Sequence, residues 1–381
     1  MSKKIWQVGL LIIANSAWGR DTIEGVMSYE REVGPWQLRM KPGLPLNIDA
    51  VNEGVACDGY IAQVCTQELA EQLVATGKPV INIADSKVEG FSAPNLRTDD
   101  RIGVQLAVDH YIQRGFRNMA FVGPTIYANA IEYADHFENV LKERGLTACP
   151  KFEYDGTDRE LFIPLTKWLH ALPKPIGIVS WGHGYARSIV DACMLADIPV
   201  PHDVAILAAN NDDFLCNACY PSLSGVLSPM KQVGYHAAKL LDRMMNGETV
   251  PNDILFFPPV GVKERLSTDT LAVEDDRLRK VIGFMKEHAY ESITINDVLK
   301  AVPMARSSLE HQFKKTFGRT PAEEIRRLRI NRARKLLAET DLSMQEIAEA
   351  CGLSSYNYLS FAFRKATGMS PRDYRKNHGK H

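Results

Sequence analysis

Short apolar runs alternate with amphipathic segments along the first 268 residues of the chain. Continuous apolar runs are typical of strands buried on both faces, and apolar residues recurring every three or four positions are typical of helices. The predicted strands are Trp6–Ala14, Gly59–Val64, Pro79–Ile83, Met119–Val122, Ile176–Ser180 and Val204–Ala208. The predicted helices are Thr22–Arg31, Thr66–Thr76, Arg101–Arg114, Ile131–Arg144 and Tyr185–Ala196. The alternation predicts parallel sheets covered by helices, which bind ligands in loops beyond the carboxyl ends of the strands.

The remainder of the chain, residues 277–381, shows helical spacing only, with no run that predicts a strand. Its apolar positions recur at Val281, Ile282 and Met285, at Ile295, Val298 and Leu299, and at Leu309, Phe313 and Phe317. The connection before it is polar and acidic, which is typical of a linker. The pattern therefore predicts an α/β domain over 1–270, a linker over 271–276 and an all-α domain over 277–381.

One helical pattern occurs twice in this all-α domain. Each copy runs from a short helix through a tight turn into a longer helix, and Phe313 of the first copy aligns with Phe363 of the second, 50 residues later. Between the copies, 321–338 predicts a helix that opens on Pro321 and is about 27 Å long at 1.5 Å per residue. Such a helix can hold two second helices near ~34 Å apart, one turn of B-DNA. The repeat predicts a duplicated helix-turn-helix.

The charge of the chain divides at the same place. The whole chain has 45 Lys+Arg and 46 Asp+Glu, a net charge of −1 that taken alone argues against nucleic-acid binding. Residues 271–381 contain 21 basic and 14 acidic side chains, a net of +7, and the rest contains 24 and 32, a net of −8. Chance drift of surface charge is the alternative reading, but the basic part coincides with the duplicated motif, which favours contact with DNA phosphates.

Several features indicate a reducing compartment. The first apolar run is interrupted by Gln7 and lacks a small-residue cleavage site, so it predicts a strand rather than a signal peptide. No stretch reaches the ~18 apolar residues of a membrane span, and seven irregularly spaced cysteines do not suggest a disulfide framework. We therefore expect a cytoplasmic protein without membrane contact. Cys216 and Cys219 have no second pair and no nearby His, which favours buried thiols over a metal site.

The loops after the predicted strands contain similar sets of aromatic and polar residues. Asn15, Trp18 and Arg20 follow the first strand, Trp181 and His183 follow the strand ending at Ser180, and Asn210, Asn211, Asp212 and Asp213 follow the strand ending at Ala208. Aromatic faces with amides, carboxylates and a guanidinium suit a polyhydroxylated ligand. The C–H face of a sugar ring stacks on an aromatic ring, and its hydroxyl groups form hydrogen bonds with the polar side chains. The alternative is that each residue only caps a helix or forms a turn. Their convergence at several strand ends favours a sugar-binding site.

No catalytic constellation is evident. The chain has no G-x-G-x-x-G motif, no P-loop and no G-x-S-x-G nucleophile elbow, and no Ser/His/Asp or metal-ligand set. We therefore expect a binding protein that is not an enzyme and that needs no cofactor or metal.

The α/β part resembles the ligand-binding domain of the LacI/GalR repressors, which share the periplasmic-binding-protein fold. The resembling segments are Ile23–Val26, Asp197–Pro201 with Val204–Leu207, Gly234–Leu241 and Val262–Thr268. The resemblance implies two α/β lobes with ligand between them, the first formed by 5–117 with 228–250 and the second by 118–227 with 251–268. The family's sugar-contacting aspartate falls at Asn210 and its contacting arginine at Tyr133, so this chain departs from the family at both positions.

The C-terminal part is identified as a member of the AraC/XylS family. The signature is in the second copy: Ile347-Ala348, Gly352, Tyr356, Phe363–Lys365, Gly368, Ser370-Pro371 and Tyr374-Arg375. The first copy departs from the family, with Pro303 in place of the usual turn glycine and Ala305 in place of the usual Ser N-cap. The missing cap costs on the order of 1 kcal/mol of helix stability.

The resemblance also implies which side chains contact DNA. Its base-reading positions are Arg306, Ser307, Glu310 and His311 in the first copy and Tyr356, Asn357, Ser360 and Phe361 in the second. Arg306 suits guanine, Asn357 adenine and Glu310 cytosine, and Phe361 suits a thymine methyl group. Phosphate contacts are expected from Lys314, Lys315, Arg364 and Lys365.

Together these features predict a two-lobed α/β sensor of the LacI/GalR type followed by an all-α domain with two helix-turn-helix motifs. The domain order is similar to that of bacterial regulators of xylose operons, which implies a pentose such as xylose as effector. We expect an activator that binds operator DNA as a homodimer and works with RNA polymerase. A repressor released by ligand is the first alternative, and a solute-binding protein or an enzyme is less favoured.

Overall fold

The computed structural model describes residues 4–40, 46, 48–52, 54–85, 88–148, 150–154, 162–272, 275–291 and 293–378. The chain forms two compact units, which we name the α/β unit and the helical unit. The α/β unit consists of Met1–Tyr111 and Phe116–Thr270, and the helical unit consists of Ile112–Gly115 and Leu271–His381.

The strands of the α/β unit form two six-stranded sheets, one in each lobe. The strands are β1 (Trp6–Leu11), β2 (Trp36–Met40), β3 (Gly59–Ala62), β4 (Val80–Asn82), β5 (Asn95–Thr98), β6 (Asn118–Pro124), β7 (Phe152–Tyr154), β8 (Ile176–Ser180), β9 (Val204–Ala208), β10 (Ser224–Leu227), β11 (Ile254–Phe257) and β12 (Gly261–Lys263). The first sheet has the order β11-β5-β4-β3-β1-β2, and the second has the order β12-β10-β9-β8-β6-β7. All neighbouring pairs are parallel except β10 with β12, which is antiparallel. The predicted parallel α/β architecture is confirmed.

Helices cover these sheets because each presents one apolar face to the strands. They are α1 (Ala17–Val33), α2 (Ile48–Asn52), α3 (Gln67–Ala75), α4 (Asp100–Ile112), α5 (Ala128–Glu143), α6 (Phe162–Ala171), α7 (His183–Leu195), α8 (Asp213–Asn217) and α9 (Met230–Met245), followed by a 3₁₀ turn at Leu266–Thr268. Helices α1 and α9 cross closely at two glycines: a Cβ on Gly25 would lie 2.0 Å from the Lys231 carbonyl oxygen, and one on Gly234 would lie 2.0 Å from that of Thr22. This crossing fixes the start of α1, which faces the cleft.

One predicted lobe boundary is wrong. The segment 251–268 was expected in the second lobe, but β11 pairs in parallel with β5 at the edge of the first sheet. The chain therefore stays in the first lobe after α9 and enters the second lobe only with β12. The sequence did not show this, because β5 reads Asn-Leu-Arg-Thr and lacks the apolar run that marks a buried strand.

The helical unit consists of short helices around two separate cores. Its helices are α10 (Asp276–His288), α11 (Ile295–Ala301), α12 (Arg306–Phe317), α13 (Pro321–Glu339), α14 (Met344–Ala350), α15 (Tyr356–Thr367) and α16 (Pro371–His378). Ile325 of α13 packs in the first core with Leu309 and Phe313, and Ile330 of α13 packs in the second with Leu359 and Phe363. The predicted pair of helix-turn-helix motifs joined by one helix is confirmed. Within the predicted linker, Val273 and Glu274 lie outside the described residues.

The turn of the second motif requires glycine. Gly352 has φ of +66°, and a Cβ there would lie 2.5 Å from the Tyr290 carbonyl oxygen. An L side chain would be strained in this conformation and would also clash with the backbone. Among the described residues, no helix is long and apolar enough to cross a membrane.

Candidate functional site

A cavity of about 420 Å³, including its open mouth, lies between the lobes at the carboxyl ends of strands. The first lobe contributes the start of α1, and the second contributes the loop after β9, together with His183 at the start of α7. The lining residues are Ser16, Ala17, Trp18, Asp21, His183, Asn210, Asn211, Asp212, Leu227, Ser228 and Met230. The cavity therefore combines an indole face with amide, imidazole and carboxylate groups, the combination that suits a polyhydroxylated ligand.

Asp212 connects the lobes across this cavity. Its side chain is 2% exposed, and its Oδ2 accepts hydrogen bonds from the Ala17 backbone N–H at 3.0 Å and from Arg20 Nη2 at 2.9 Å. Its Oδ1 accepts from the Leu215 N–H at 3.2 Å and caps α8. Burial by itself raises the pKa of Asp212, but these backbone donors and Arg20 outweigh it, so the pKa is below its ordinary value. The carboxylate is therefore ionised and holds the lobes together at this rim.

The loop after β9 presents two amides to the cavity. The buried Asn210 Oδ1 has no hydrogen-bond partner within the described residues, and the side chain lies over Gly182, where a Cβ would be 3.6 Å from its Nδ2. The Asn211 amide is held by two side-chain hydrogen bonds. Its Oδ1 accepts from Arg265 Nη2 at 2.9 Å, and its Nδ2 donates to Asp213 Oδ1 at 3.0 Å. An unsatisfied buried acceptor is costly, so Asn210 is suited to accept from a ligand hydroxyl.

The structure brings together only part of the predicted ligand set. Trp18, His183, Asn210 and Asn211 line the cavity, and Arg20 reaches its edge through Asp212. The others lie apart from the lining: Asn15 is exposed in the turn before α1, Trp181 stacks on Tyr127 at 5.5 Å, and Tyr133 is buried against Phe121 at 5.8 Å. Ligand contact remains a prediction for the whole set.

A second polar cluster joins the lobes, and the sequence patterns did not reveal it. Arg97 of β5 is 9% exposed, and pairs with Asp85 of the first lobe at 3.2 Å and with Glu132 of the second lobe at 3.5 Å. Burial and the Asp85 carboxylate raise the pKa of Asp100 to about 7, despite Arg97. The buried Tyr133 hydroxyl has no hydrogen-bond partner within the described residues, and burial, then Asp100, raises its pKa. The signal for this cluster that the sequence did contain is the charged run Asp99-Asp100-Arg101, directly after the polar run 95–98.

Cys216 and Cys219 are buried in the core of the second lobe, as the sequence predicted. Burial raises the pKa of both thiols. Over the described ranges, no group of three or more His, Cys, Asp or Glu side chains could hold a metal ion.

In the first motif, the predicted DNA-contacting residues lie along the outer face of α12. Leu309 and Phe313 are fully buried on the opposite face. Arg306 and Glu310 pair with each other at 3.0 Å while both remain exposed. The N-cap, Ala305, makes no side-chain hydrogen bond, which agrees with the missing cap noted in the sequence. The exposed side chains are Arg306, Ser307, Glu310, His311, Lys314 and Lys315.

In the second motif, α15 is better capped and also presents its predicted readers outward. The Ser355 hydroxyl accepts from the Tyr358 N–H at 3.3 Å, and Gly368 ends the helix in a left-handed conformation. Phe361 is 68% exposed, so its ring is accessible to a partner. Asn357, Phe361, Arg364 and Lys365 are exposed, and Tyr356 and Ser360 are partly exposed. Contact with DNA remains a prediction for each of these residues.

Arg329 and Arg332 of α13 stabilise the helical unit rather than forming a free basic face. Arg329 donates to the carbonyl oxygens of Ala289 and Glu291, both at 2.7 Å. Arg332 donates to the Ala350 carbonyl oxygen at the end of α14 at 3.0 Å. Carbonyl groups at helix ends lack partners within the helix, so these guanidinium groups fasten neighbouring helices to α13.

Comparison with known proteins gives matches over both units. Residues 108–268 match the family of periplasmic binding protein-like domains, and residues 298–377 match a helix-turn-helix domain family. The xylose operon regulatory protein of Escherichia coli strain K12 is 30% identical over an alignment of 392 positions that covers 98% of each chain. That of Haemophilus influenzae is 28% identical over 99% of this chain and its own full length.

A solved structure agrees with these relatives. The structure of the xylose-binding transcription activator XylR is 28% identical, covers both chains completely and superposes with a TM-score of 0.62. These homologues are transcription regulators and not enzymes. Because the likeness extends over both units and nearly the whole length of the relatives, the chain belongs to the family of xylose operon regulatory proteins.

Proposed function

We propose that the protein is a transcription activator that binds a pentose, with D-xylose as the first candidate, and binds operator DNA through α12 and α15. The observation that carries this proposal is the interlobe cavity, where an indole, an imidazole and two amides converge in a chain homologous to xylose-binding activators. The rival is a repressor released by ligand, which would have the same parts but would lower transcription when its sugar-free form binds the operator.

The chemistry of the cleft supports a neutral sugar. Trp18 offers an apolar face for the C–H groups of a sugar ring, and Asn210 has a buried acceptor without a partner. Both Asp212 and Arg97 already have charged partners across the cleft, so a neutral ligand would bind without leaving a buried charge unpaired. Ligand bound between the lobes would stabilise the arrangement in which these bridges exist, and only such differential binding can shift the equilibrium.

The exposed faces of α12 and α15 support binding in the major groove. Both helices keep their apolar stripe in a core and present polar groups outward, as recognition helices do. Helix α13 has 19 residues and is therefore about 28 Å long. That length suits two readers on successive major-groove segments, about 34 Å apart.

The assembly and setting are part of the proposal. We place the protein in the cytoplasm, where it would act as a homodimer at two half-sites and recruit RNA polymerase. The support for these three points is the resemblance to AraC/XylS and LacI/GalR regulators.

The test combines calorimetry and a reporter. The full-length protein is titrated with D-xylose, other pentoses, hexoses and deoxysugars, and a reporter gene is measured with and without each sugar that binds. We expect micromolar to millimolar binding of a pentose and increased transcription. Absence of heat with every sugar would refute the ligand class. Transcription without sugar that falls below the level measured in cells lacking the protein would favour the repressor.

Trp18→Ala is the matched variant for the cleft, with Trp168→Ala as its control. Trp168 lies in α6, packs on Phe152 at 5.4 Å and is not among the cavity-lining residues. We expect only the Trp18 variant to lose sugar binding.

A further inference from the structure

We propose that Arg265 is a positioning residue that couples the ligand cavity to the segment connecting the sensor to the DNA reader. This inference rests on the proposed function, because it takes the ligand to bind beside Asn211. Arg265 lies directly before the 3₁₀ turn Leu266–Thr268, near the end of the α/β unit at Thr270. Any displacement of this turn moves the chain from which the helical unit starts.

The side chain of Arg265 is 7% exposed and every guanidinium nitrogen is used. Nη2 donates to Asn211 Oδ1 at 2.9 Å and to Asp213 Oδ1, Nε donates to Asn217 Oδ1 at 3.0 Å, and Nη1 donates to the Leu223 carbonyl oxygen. Of these partners, Asn211 lines the cavity. A ligand that competes for the Asn211 amide therefore changes a hydrogen bond of Arg265 directly.

The loop that holds Asn211 cannot move independently of its neighbours. A Cβ on Gly225 of β10 would lie 2.9 Å from the Asn210 carbonyl oxygen and 3.1 Å from the Asn211 Cα, so this strand and the loop are in close contact. Strand β10 then continues into Leu227 and Ser228, which line the cavity from another side. A change at the cavity is thus confined to a tightly packed loop, which contacts Arg265 through Asn211.

The turn after Arg265 is fixed to the interior by buried hydroxyl groups. The Arg265 N–H donates to Ser224 Oγ at 2.8 Å, and Ser267 Oγ donates to the Ile206 carbonyl oxygen of β9 at 2.6 Å. Thr268 Oγ1 contacts Ser224 Oγ at 2.7 Å and His110 Nε2 at 2.9 Å. Buried hydrogen-bond networks of this kind behave as rigid units, so a shift of Arg265 is passed to the turn rather than absorbed by it.

The inference requires that Arg265 changes the coupling between two ligands and leaves each binding event largely intact. Coupling is measured as the ratio of operator Kd without and with saturating D-xylose. The full-length protein is used with an operator fragment selected in vitro by the wild type, and fluorescence anisotropy gives the operator Kd of each protein without and with D-xylose. Calorimetry gives the D-xylose Kd of each variant.

The variants are Arg265→Gln, which removes the charge, and Arg265→Lys, which keeps the charge but cannot contact Asn211 and Leu223 together. Arg243→Gln is the control, because Arg243 pairs with Glu248 on the surface of the same unit at 2.6 Å. We expect both Arg265 variants to bring the coupling ratio within about twofold of unity. Operator Kd without sugar should stay within about twofold of the wild type, and the control should couple normally.

The outcomes separate the two proposals. Wild-type coupling in a folded Arg265→Gln or Arg265→Lys protein would overturn this inference and leave the proposed function standing. A wild-type protein whose operator affinity ignores every sugar would overturn the proposed function and this inference with it. Should Arg265→Gln fail to fold, Arg265→Lys decides, because a loss of coupling with native circular dichroism supports the inference and retained coupling overturns it.

Discussion

The contact of Asp212 with the first lobe can be tested by Asp212→Asn. In the structure, one carboxylate oxygen accepts from both Ala17 and Arg20, and the other caps α8 through Leu215. Asparagine has the same shape but only one acceptor oxygen and no charge. If that oxygen keeps the cap on α8, the amide NH₂ faces two donors and cannot accept from either. The substitution therefore removes the interlobe hydrogen bonds and leaves the second lobe intact.

The size of the effect follows from these contacts. A hydrogen bond to a charged group contributes roughly 1.5–3 kcal/mol, and the Arg20 pair, whose arginine is 47% exposed, adds at most about 1 kcal/mol. We call the arrangement in which Asp212 bridges the two lobes the closed arrangement, and we expect the substitution to reduce its stability by about 2–3 kcal/mol. A ligand that binds only this arrangement loses the same free energy, which weakens its affinity roughly 30- to 150-fold.

The assay is calorimetric titration of the full-length protein with D-xylose at pH 7. Asp191→Asn is the control, since Asp191 pairs with Arg187 at 3.8 Å on the surface of α7, within one lobe. Because the pKa of Asp212 is lowered in the folded chain, its contribution is present above the ordinary carboxyl pKa and disappears as the pH falls. A folded Asp212→Asn protein that binds D-xylose within threefold of the wild type would show that this bridge does not hold the cleft closed.

Three further results are expected. Burial would raise the pKa of Glu324, but Arg327 and Arg319 hold it at about 2, against an ordinary 4.5. Glu324→Gln should therefore destabilise the protein by about 3 kcal/mol at pH 7, and the difference in urea unfolding should shrink by about 2 kcal/mol at pH 3; a pH-independent difference would contradict this. Asp100, with a folded pKa of about 7, favours the protonated form in the folded chain, so the melting temperature of Asp100→Asn relative to the wild type should increase as the pH rises from 4 to 7. Asn357→Ala should weaken operator binding by about 1–3 kcal/mol at one base position, whereas Lys365→Ala should lower affinity for all sequences and reduce the salt slope by about 1; equal effects on specific and random DNA would refute the assignment of Asn357.

The helices of the helical unit could be predicted from the sequence. Helix periodicity and the Pro321 start of α13 act within one or two turns of chain, so their meaning does not depend on distant residues. The same holds for the strands with apolar runs. The exposed readers were also predictable, because residues opposite an apolar helical stripe face away from the core.

The lobes and the cleft were less predictable from the sequence. Strand β11 reads Ile-Leu-Phe-Phe but lies at a sheet edge with Ile254, Leu255 and Phe256 exposed, so its hydrophobic pattern did not assign it to a lobe. The resemblance implies a ligand contact at Tyr133, yet its ring packs against Phe121. Whether such a side chain faces a ligand or a core depends on the packing around it.

What the sequence alone determined was the division of charge, the order of the two units and the residue types available at the strand ends. Tertiary structure decided which of them meet: Asp212 reaches Ala17 across 195 positions of sequence, and Arg265 reaches Asn211 across 54. The physical reason is that these contacts depend on how two sheets and their helices pack, as at the Gly25 and Gly234 crossing. Periodicity specifies the face that a residue occupies, whereas the partner across a cleft is set only when both lobes are in place.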